Sequence, residues 1–442
     1  KEFFERIGES LAIRRSFRNW VSEKLLLEND YIKQFIEEIF QDGEIESFWK
    51  DEVFVSVLLS DYSEAFFELF NEELLKNGQE LIKKFAFLLR IACKEVDDDF
   101  FKQLGKKNIN LFSIKYVFTK PKGKGWQSLI KFVYKNLDTI GIKNVYFILS
   151  IIHDWNNKFK VGETTKISSL IALKYYEWMI RENIYFSRDE EVKEKLMQTI
   201  LYGASEIKEE LIVIFNEVLK NKWKRHRDPY YDLIKVILTK LGDNVEVIKA
   251  LPEYVLKLAD LYWFRDPQKE ASIYNYEIGI EKYFCMEETY SDYFPASSFQ
   301  TPIYWLLQCS LIKTIDFILD FTNKTVECFA KSDLGKSEVK EIDVFIGDGK
   351  TTKQYISDRL WNTYRGTQVS PHVLQSMHMA LEKFFLERAE NSDPKVLESW
   401  LSYLLKNTKS ASITAVVTSI VLAFPERTFN VAKVLFQTKE FF

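Results

Sequence analysis

The sequence has 442 residues with 61 basic and 65 acidic side chains, a formal net charge of −4. That length is ample for a sizeable core and for roughly three domains. The balanced charge gives no global bias toward nucleic acid or an anionic membrane. Hydrophobic residues make up 46% and aromatics 15%, while Gly and Pro number only 15 and 9. So few breakers favour helices joined by short polar loops.

Helical periodicity dominates from the N-terminus onward. It predicts helices near 17–28, 30–41, 44–59, 63–76 and 78–94. Asp97, Asp98 and Asp99 follow; they lack the further ligands and the glycine turn of a calcium loop, so they read as a helix N-terminus or a solvated loop. The segment TKPKGKGW, 119–126, then places Lys120, Lys122 and Lys124 in a loop before a helix. Further helices are predicted at 126–137, 142–156, 164–182 and 189–202. His153 falls at the end of the second of these, beside Asp154, and reads as a helix-dipole partner.

Over 205–219, Ile207, Leu211, Ile214, Phe215 and Val218 share one helical face, with Ser205 placed to cap it. A second basic cluster follows, KNKWKRHR at 220–227, in which Lys224, Arg225 and Arg227 surround Trp223. Interleaved cations and an indole suit a phosphate backbone and a stacked base. The simpler reading of both clusters is a solvated loop and a basic helix C-terminus, and we put nucleic-acid binding second. Asp228-Pro229 is predicted to open a helix that Gly242 ends, and Asp393-Pro394 to open another. One long helix is predicted at 302–330 and one at 372–390, where His378 reads as a packed side chain between Met377 and Met379. Gly366 is expected to close a helix after Tyr364 and Arg365.

One segment breaks the pattern. Ile342, Val344 and Ile346 alternate with Asp343 and Phe345, and a Gly-Asp-Gly turn precedes Thr352, Gln354 and Ile356. This predicts a β-hairpin over 340–356. Gly349-Lys350-Thr351 has the ending of a phosphate-binding loop, but Val344 stands where its first glycine belongs, and a strand rather than a helix is expected to follow. Asp333, Glu338 and Lys340 are too close in sequence to form a nuclease-like metal site. None of the four histidines or four cysteines has metal-ligand spacing. The cysteines lie in apolar stretches and read as reduced, buried thiols of a cytoplasmic protein. No apolar run reaches the ~18–20 residues needed to span a bilayer.

The fold expected is therefore all-α: stacked antiparallel helices or a degenerate α-solenoid without a clean repeat, carrying one small hairpin. The segments expected are 1–120, 121–265 and 266–442. A start at Lys1 without Met suggests a piece of a longer polypeptide. No catalytic, cofactor-binding or metal-binding residue is assigned, although an enzyme assembled from sequence-distant residues stays open.

Three stretches carry a resemblance: YFPASSFQTPIYWLL (293–307), DRLWNTYRGTQVSPHVLQSMHMALEKFFLE (358–387) and SITAVVTSIVLAFPE (412–426). They resemble the large bacterial STAND-type ATPases of antiviral defence, the AVAST group, over about a third of the chain. The resemblance implies an N-terminal effector, a nucleotide-binding core using ATP and Mg, and a helical sensor that recognises a phage protein, terminase or portal, and oligomerises on activation. No Walker A sequence lies in this chain, so the resemblance places it beyond that core, as sensor or scaffold contacting the rest of its own polypeptide. An extended helical array and abundant aromatics suit a folded protein partner.

Overall fold

Apolar residues at helical spacing, few breakers and short loops make the described residues mainly helical, with one two-stranded sheet among them. The computed structural model describes residues 123–140, 145–181, 190–239, 242–266, 279–287, 290–347 and 349–441. The helices predicted before residue 95, Asp97–Asp99, Lys120 and Lys122 lie outside the described residues. The chain divides into two compact units between Ile207 and Lys208.

In the first unit, α1 (Gly123–Lys135) and the single turn α2 (Leu137–Ile140) precede α3 (Val145–Lys158), α4 (Glu163–Arg181) and α5 (Glu190–Tyr202). The last three pack on one another. Their apolar stripes, among them Ile148, Ile152, Ile171, Tyr175, Leu196 and Ile200, are all buried. A polar knot crosses the same core: the buried Asn156 amide donates to Ser169 Oγ and to the Thr199 carbonyl, both at 2.9 Å. Gly203 sits so close that a Cβ there would lie 2.1 Å from Ser169 Oγ. His153 is interior to α3, not at its end; its Nε2 lies 3.0 Å from Gln198 Oε1.

The second unit begins with α6 (Lys208–Asn221), whose Leu211, Ile214, Phe215 and Val218 are buried as the periodicity requires. Ser205 does not cap it; its hydroxyl turns back toward the Lys160 carbonyl. Next come α7 (Tyr231–Thr239), α8 (Val245–Ala250) and α9 (Pro252–Trp263). Asp228 is not the cap of α7, which starts only after Tyr230 has taken a left-handed conformation with φ of 62°. A short 3-10 turn (Ile280–Phe284) and α10 (Tyr290–Tyr293) lead to α11 (Ile303–Cys309) and α12 (Leu311–Lys331). The single helix expected at 302–330 is thus two. Ser310, at φ −145° and ψ 58°, donates its N–H to Leu306 and accepts from Thr314, ending one helix and starting the next.

After α13 (Asp333–Glu338) the hairpin forms as the alternation predicts: β1 (Lys340–Phe345) pairs antiparallel with β2 (Thr351–Ile356), Val344 opposite Thr352. Gly347 and Gly349 take φ of +94° and +70°, which the turn requires and only glycine adopts without strain. Lys350 leads into a strand, so the Gly-Lys-Thr triplet builds no phosphate loop. Both outer edges of the hairpin are held: the Tyr355 N–H donates to the Lys409 carbonyl at 2.8 Å, and the Phe345 N–H to Thr438 Oγ1 at 3.1 Å. Glu338 forms a two-pronged ion pair with Arg359, at 2.8 and 2.9 Å, rather than facing a metal.

The unit closes with α14 (Asp358–Trp361), α15 (His372–Asn391), α16 (Pro394–Asn407), α17 (Ala411–Ala423) and α18 (Phe429–Leu435). Asp393 caps α16 through the Lys395 N–H at 2.8 Å, with Pro394 in the first turn, and Gly366 closes a 3-10 turn at φ +64°. α15, buried along Val373–His378, and α17, buried along Ala411–Val417, pack against each other at the centre. His378 is fully buried there, its Nε2 3.1 Å from Thr322 Oγ1, and burial pushes its pKa down to about 3.

Candidate functional site

A groove of about 1520 Å³ opens in the second unit. Four stretches build it: the end of α6 with its following loop, the C-terminal half of α9 with residues 264–266, Glu287, and the face of α12 carrying Phe317 and Phe321. It exceeds the roughly 300–1,000 Å³ of small-molecule pockets and is open to solvent, a shape for a macromolecular surface.

The 222–230 loop is rigidly built. The Asp228 carboxylate accepts the backbone N–H groups of Lys224 and Arg225, at 2.8 and 2.7 Å. The Trp223 N–H donates to the Val218 carbonyl at 3.1 Å, prolonging α6 by one bond. Lys222 and Tyr230 take left-handed conformations at the two bends. The result presents Trp223 half-buried, its ring 6.3 Å from that of Tyr230, along the groove wall.

Of the sequence-selected residues, Trp223, Lys224 and Arg225 line the groove, whereas Arg227 is exposed on the loop and does not. Lys124 lies in the first turn of α1, in the other unit. The groove is not a cationic channel. Six Lys and Arg side chains line it against five Asp and Glu. Lys224 forms an ion pair with Glu287 and reaches the Phe264 carbonyl at 3.4 Å. Lys324 pairs with Asp260 and lies over the rings of Phe264 and Phe321, at 4.1 and 4.9 Å. The two lysines deepest in the site are therefore held by carboxylates and aromatic faces, an arrangement that competes with phosphate binding.

Sequence reasoning found one wall of this site and missed the others, because Glu287 and α12 reach Trp223 only through the fold. The local signal was the Lys/Arg and Trp interleaving; nothing local marks Asp260, Glu287 or Lys324 as its partners. The cysteines also depart from the uniform buried reading: Cys309 is exposed at the end of α11, and Cys285 and Cys328 are half-buried. Cys93 lies outside the described residues.

A smaller apolar hollow of about 400 Å³ lies between α14, α17 and α18, lined by Trp361, Leu422, Phe436 and Phe441. Among the described residues no group of three His, Cys, Asp or Glu side chains is arranged to hold a metal ion, and no helix is long and apolar enough to cross a membrane. No protein-family model matches the chain, and no curated protein matches it significantly.

Proposed function

We propose that this chain is a non-catalytic helical recognition region, the sensor or scaffold part of a STAND-type antiviral defence ATPase of the AVAST group, and that its groove receives a folded phage protein, terminase or portal, in the cytoplasm. The observation that carries a protein partner, rather than nucleic acid, is the groove's nearly even mixture of charges over an aromatic floor. Paired charges of both signs favour a partner with complementary side chains and penalise a uniformly anionic strand. Trp223 and the phenylalanines supply the aromatic area that anchors such interfaces. The antiviral setting and the identity of the partner rest on the resemblance of 293–307, 358–387 and 412–426. ATP, Mg and the effector belong, in this reading, to other parts of the parent polypeptide, whose assembly follows recognition.

The test is binding of the purified protein to a panel of terminase large subunits and portal proteins, with duplex and single-stranded DNA as competitors. We expect a phage protein to bind with affinity that drops at least tenfold for Trp223→Ala, roughly 1.4 kcal/mol or more. No binding across the panel, or preferential DNA binding that weakens steeply with salt, overturns the reading.

A further inference from the structure

Behind the groove, two thiols that no sequence motif connects are brought together. Cys285 follows the 3-10 turn in a left-handed conformation, φ 52° and ψ 46°, and Cys328 lies in the last turn of α12. The residues beside them lock the two segments face to face: the rings of Phe284 and Phe329 stack at 4.3 Å with planes within 5°. Both rings are fully buried, so the alignment is part of the core. This alignment sets the Cys285 and Cys328 side chains beside each other, and both are half-buried, within reach of a small reagent.

We propose that Cys285 and Cys328 form a dithiol site that low-molecular-weight disulfides oxidise to an intramolecular disulfide, and that this bond clamps the groove wall.

The two thiols are unequal in a way that orders the reaction. The neighbouring Cys285 thiol holds Cys328 below the ordinary thiol pKa, with Lys331 and Lys324 adding to the effect against burial and Glu327. The proximity of Cys328, followed by burial, pushes Cys285 up. Cys328 is then the attacking group, as thiolate. Its sulfur displaces one half of the small disulfide as a thiolate, leaving a mixed disulfide on Cys328. Cys285 gives up its proton and attacks the Cys328 sulfur, expelling the second half. Two protein thiols and one small disulfide become one protein disulfide and two small thiols, so the oxidant is consumed one for one.

The bond reaches the groove through the backbone. The Cys285 carbonyl accepts the Arg265 N–H at 2.9 Å, and the Glu287 N–H donates to the Trp263 carbonyl at 3.0 Å, so the Cys285 segment is laced to the end of α9. Glu287, two residues beyond Cys285, carries the ion pair with Lys224; Lys324, one turn before Cys328, carries the pair with Asp260. A covalent link between these segments fixes both pairs relative to each other.

The test uses the intact chain with Cys93 and Cys309 replaced by Ser, exposed to defined ratios of oxidised and reduced glutathione, then alkylated and mass-analysed. We expect loss of both remaining thiols, a mass decrease of about 2 Da and a Cys285–Cys328 linked peptide, without retained glutathione. Cys285→Ser should instead retain glutathione on Cys328. Hydrogen exchange of the Arg265 and Glu287 amides should slow about tenfold on oxidation. Retained glutathione on Cys328 when Cys285 is present, or two thiols still alkylatable under strongly oxidising ratios, overturns the site. Unchanged exchange at 265 and 287 overturns the clamp. No readout requires a partner, so this result is independent of the docking experiment.

Discussion

Replacing Tyr293 by Phe removes one oxygen atom from the second unit and tests how that unit's centre is wired. Trp263 and Tyr293 are 1% and 2% exposed, and the indole Nε1–H donates to Tyr293 Oη at 2.8 Å. Tyr293 Oη has only a distant second contact, the Leu238 carbonyl at 3.5 Å. The rings meet edge to face, 6.0 Å apart and 86° inclined, so the phenyl of the variant keeps its packing and leaves no cavity. What changes is polar: the variant loses a hydrogen bond contributing about 1 kcal/mol and leaves a buried indole N–H without acceptor, so the total expected is about 2 kcal/mol. For a unit of this size that lowers the midpoint by about 4–8 °C. Calorimetry, with near-ultraviolet dichroism to identify the transition of this unit, measures the change. The decisive comparison is the same substitution in a Trp263→Phe background, where no indole N–H remains to be orphaned. There it should cost about 0.5 kcal/mol, giving a coupling of about 1.5 kcal/mol. Equal costs in both backgrounds would refute the reasoning, as would a Tyr293→Phe protein indistinguishable from the parent.

Gly335→Ala should destabilise the second unit by several kcal/mol, because its Cβ would lie 1.7 Å from the Phe329 carbonyl oxygen and backbone must move; a denaturation midpoint within error of the parent would contradict this packing. His378 is held neutral by burial, with its pKa lowered from 6.5 to about 3, so the unfolded chain binds a proton that the folded one refuses. Stability should therefore fall as pH drops from about 6.5 toward 3, with this residue contributing a slope of about 1.4 kcal/mol per pH unit that His378→Gln removes. Asp228→Ala should free the Lys224 and Arg225 amides and speed their hydrogen exchange about tenfold while changing global stability little.

The hairpin and the Asp393 cap were legible because their signals are local: alternation around glycines, and an acid immediately before a proline at the head of an apolar stripe. Asp228-Pro229 carries the same signal as Asp393-Pro394 and does something else, because the Asp228 carboxylate finds the amides behind it before any helix begins. The break at Ser310 was invisible for a related reason. Neither Gly nor Pro announces it, and apolar periodicity continues through it on both sides. The groove could be seen only in part. Trp223 and Lys224 stand out in sequence, but the partner that neutralises Lys224 is 63 residues away, and only the path of α9 and α12 brings them together. The thiol pair is of the same kind: Cys285 and Cys328 lie in stretches that read as apolar filler, and the Phe284–Phe329 stack that aligns them is a tertiary fact.

The hairpin's outer edges depend on residues synthesised after it. Tyr355 waits for Lys409, and Phe345 for Thr438, 93 residues further along. On a ribosome, β1 and β2 are therefore complete long before either edge is covered, and in that interval they offer bare strand edges to any neighbouring nascent chain. The exposed charges of Glu341, Asp343 and Lys353 on those strands, with Lys353 bridging to both acids at 3.4 and 3.2 Å, act as gatekeepers during that wait. Charge-removing substitutions at these three positions would then lower the yield of native protein during synthesis far more than they lower the stability of the finished fold.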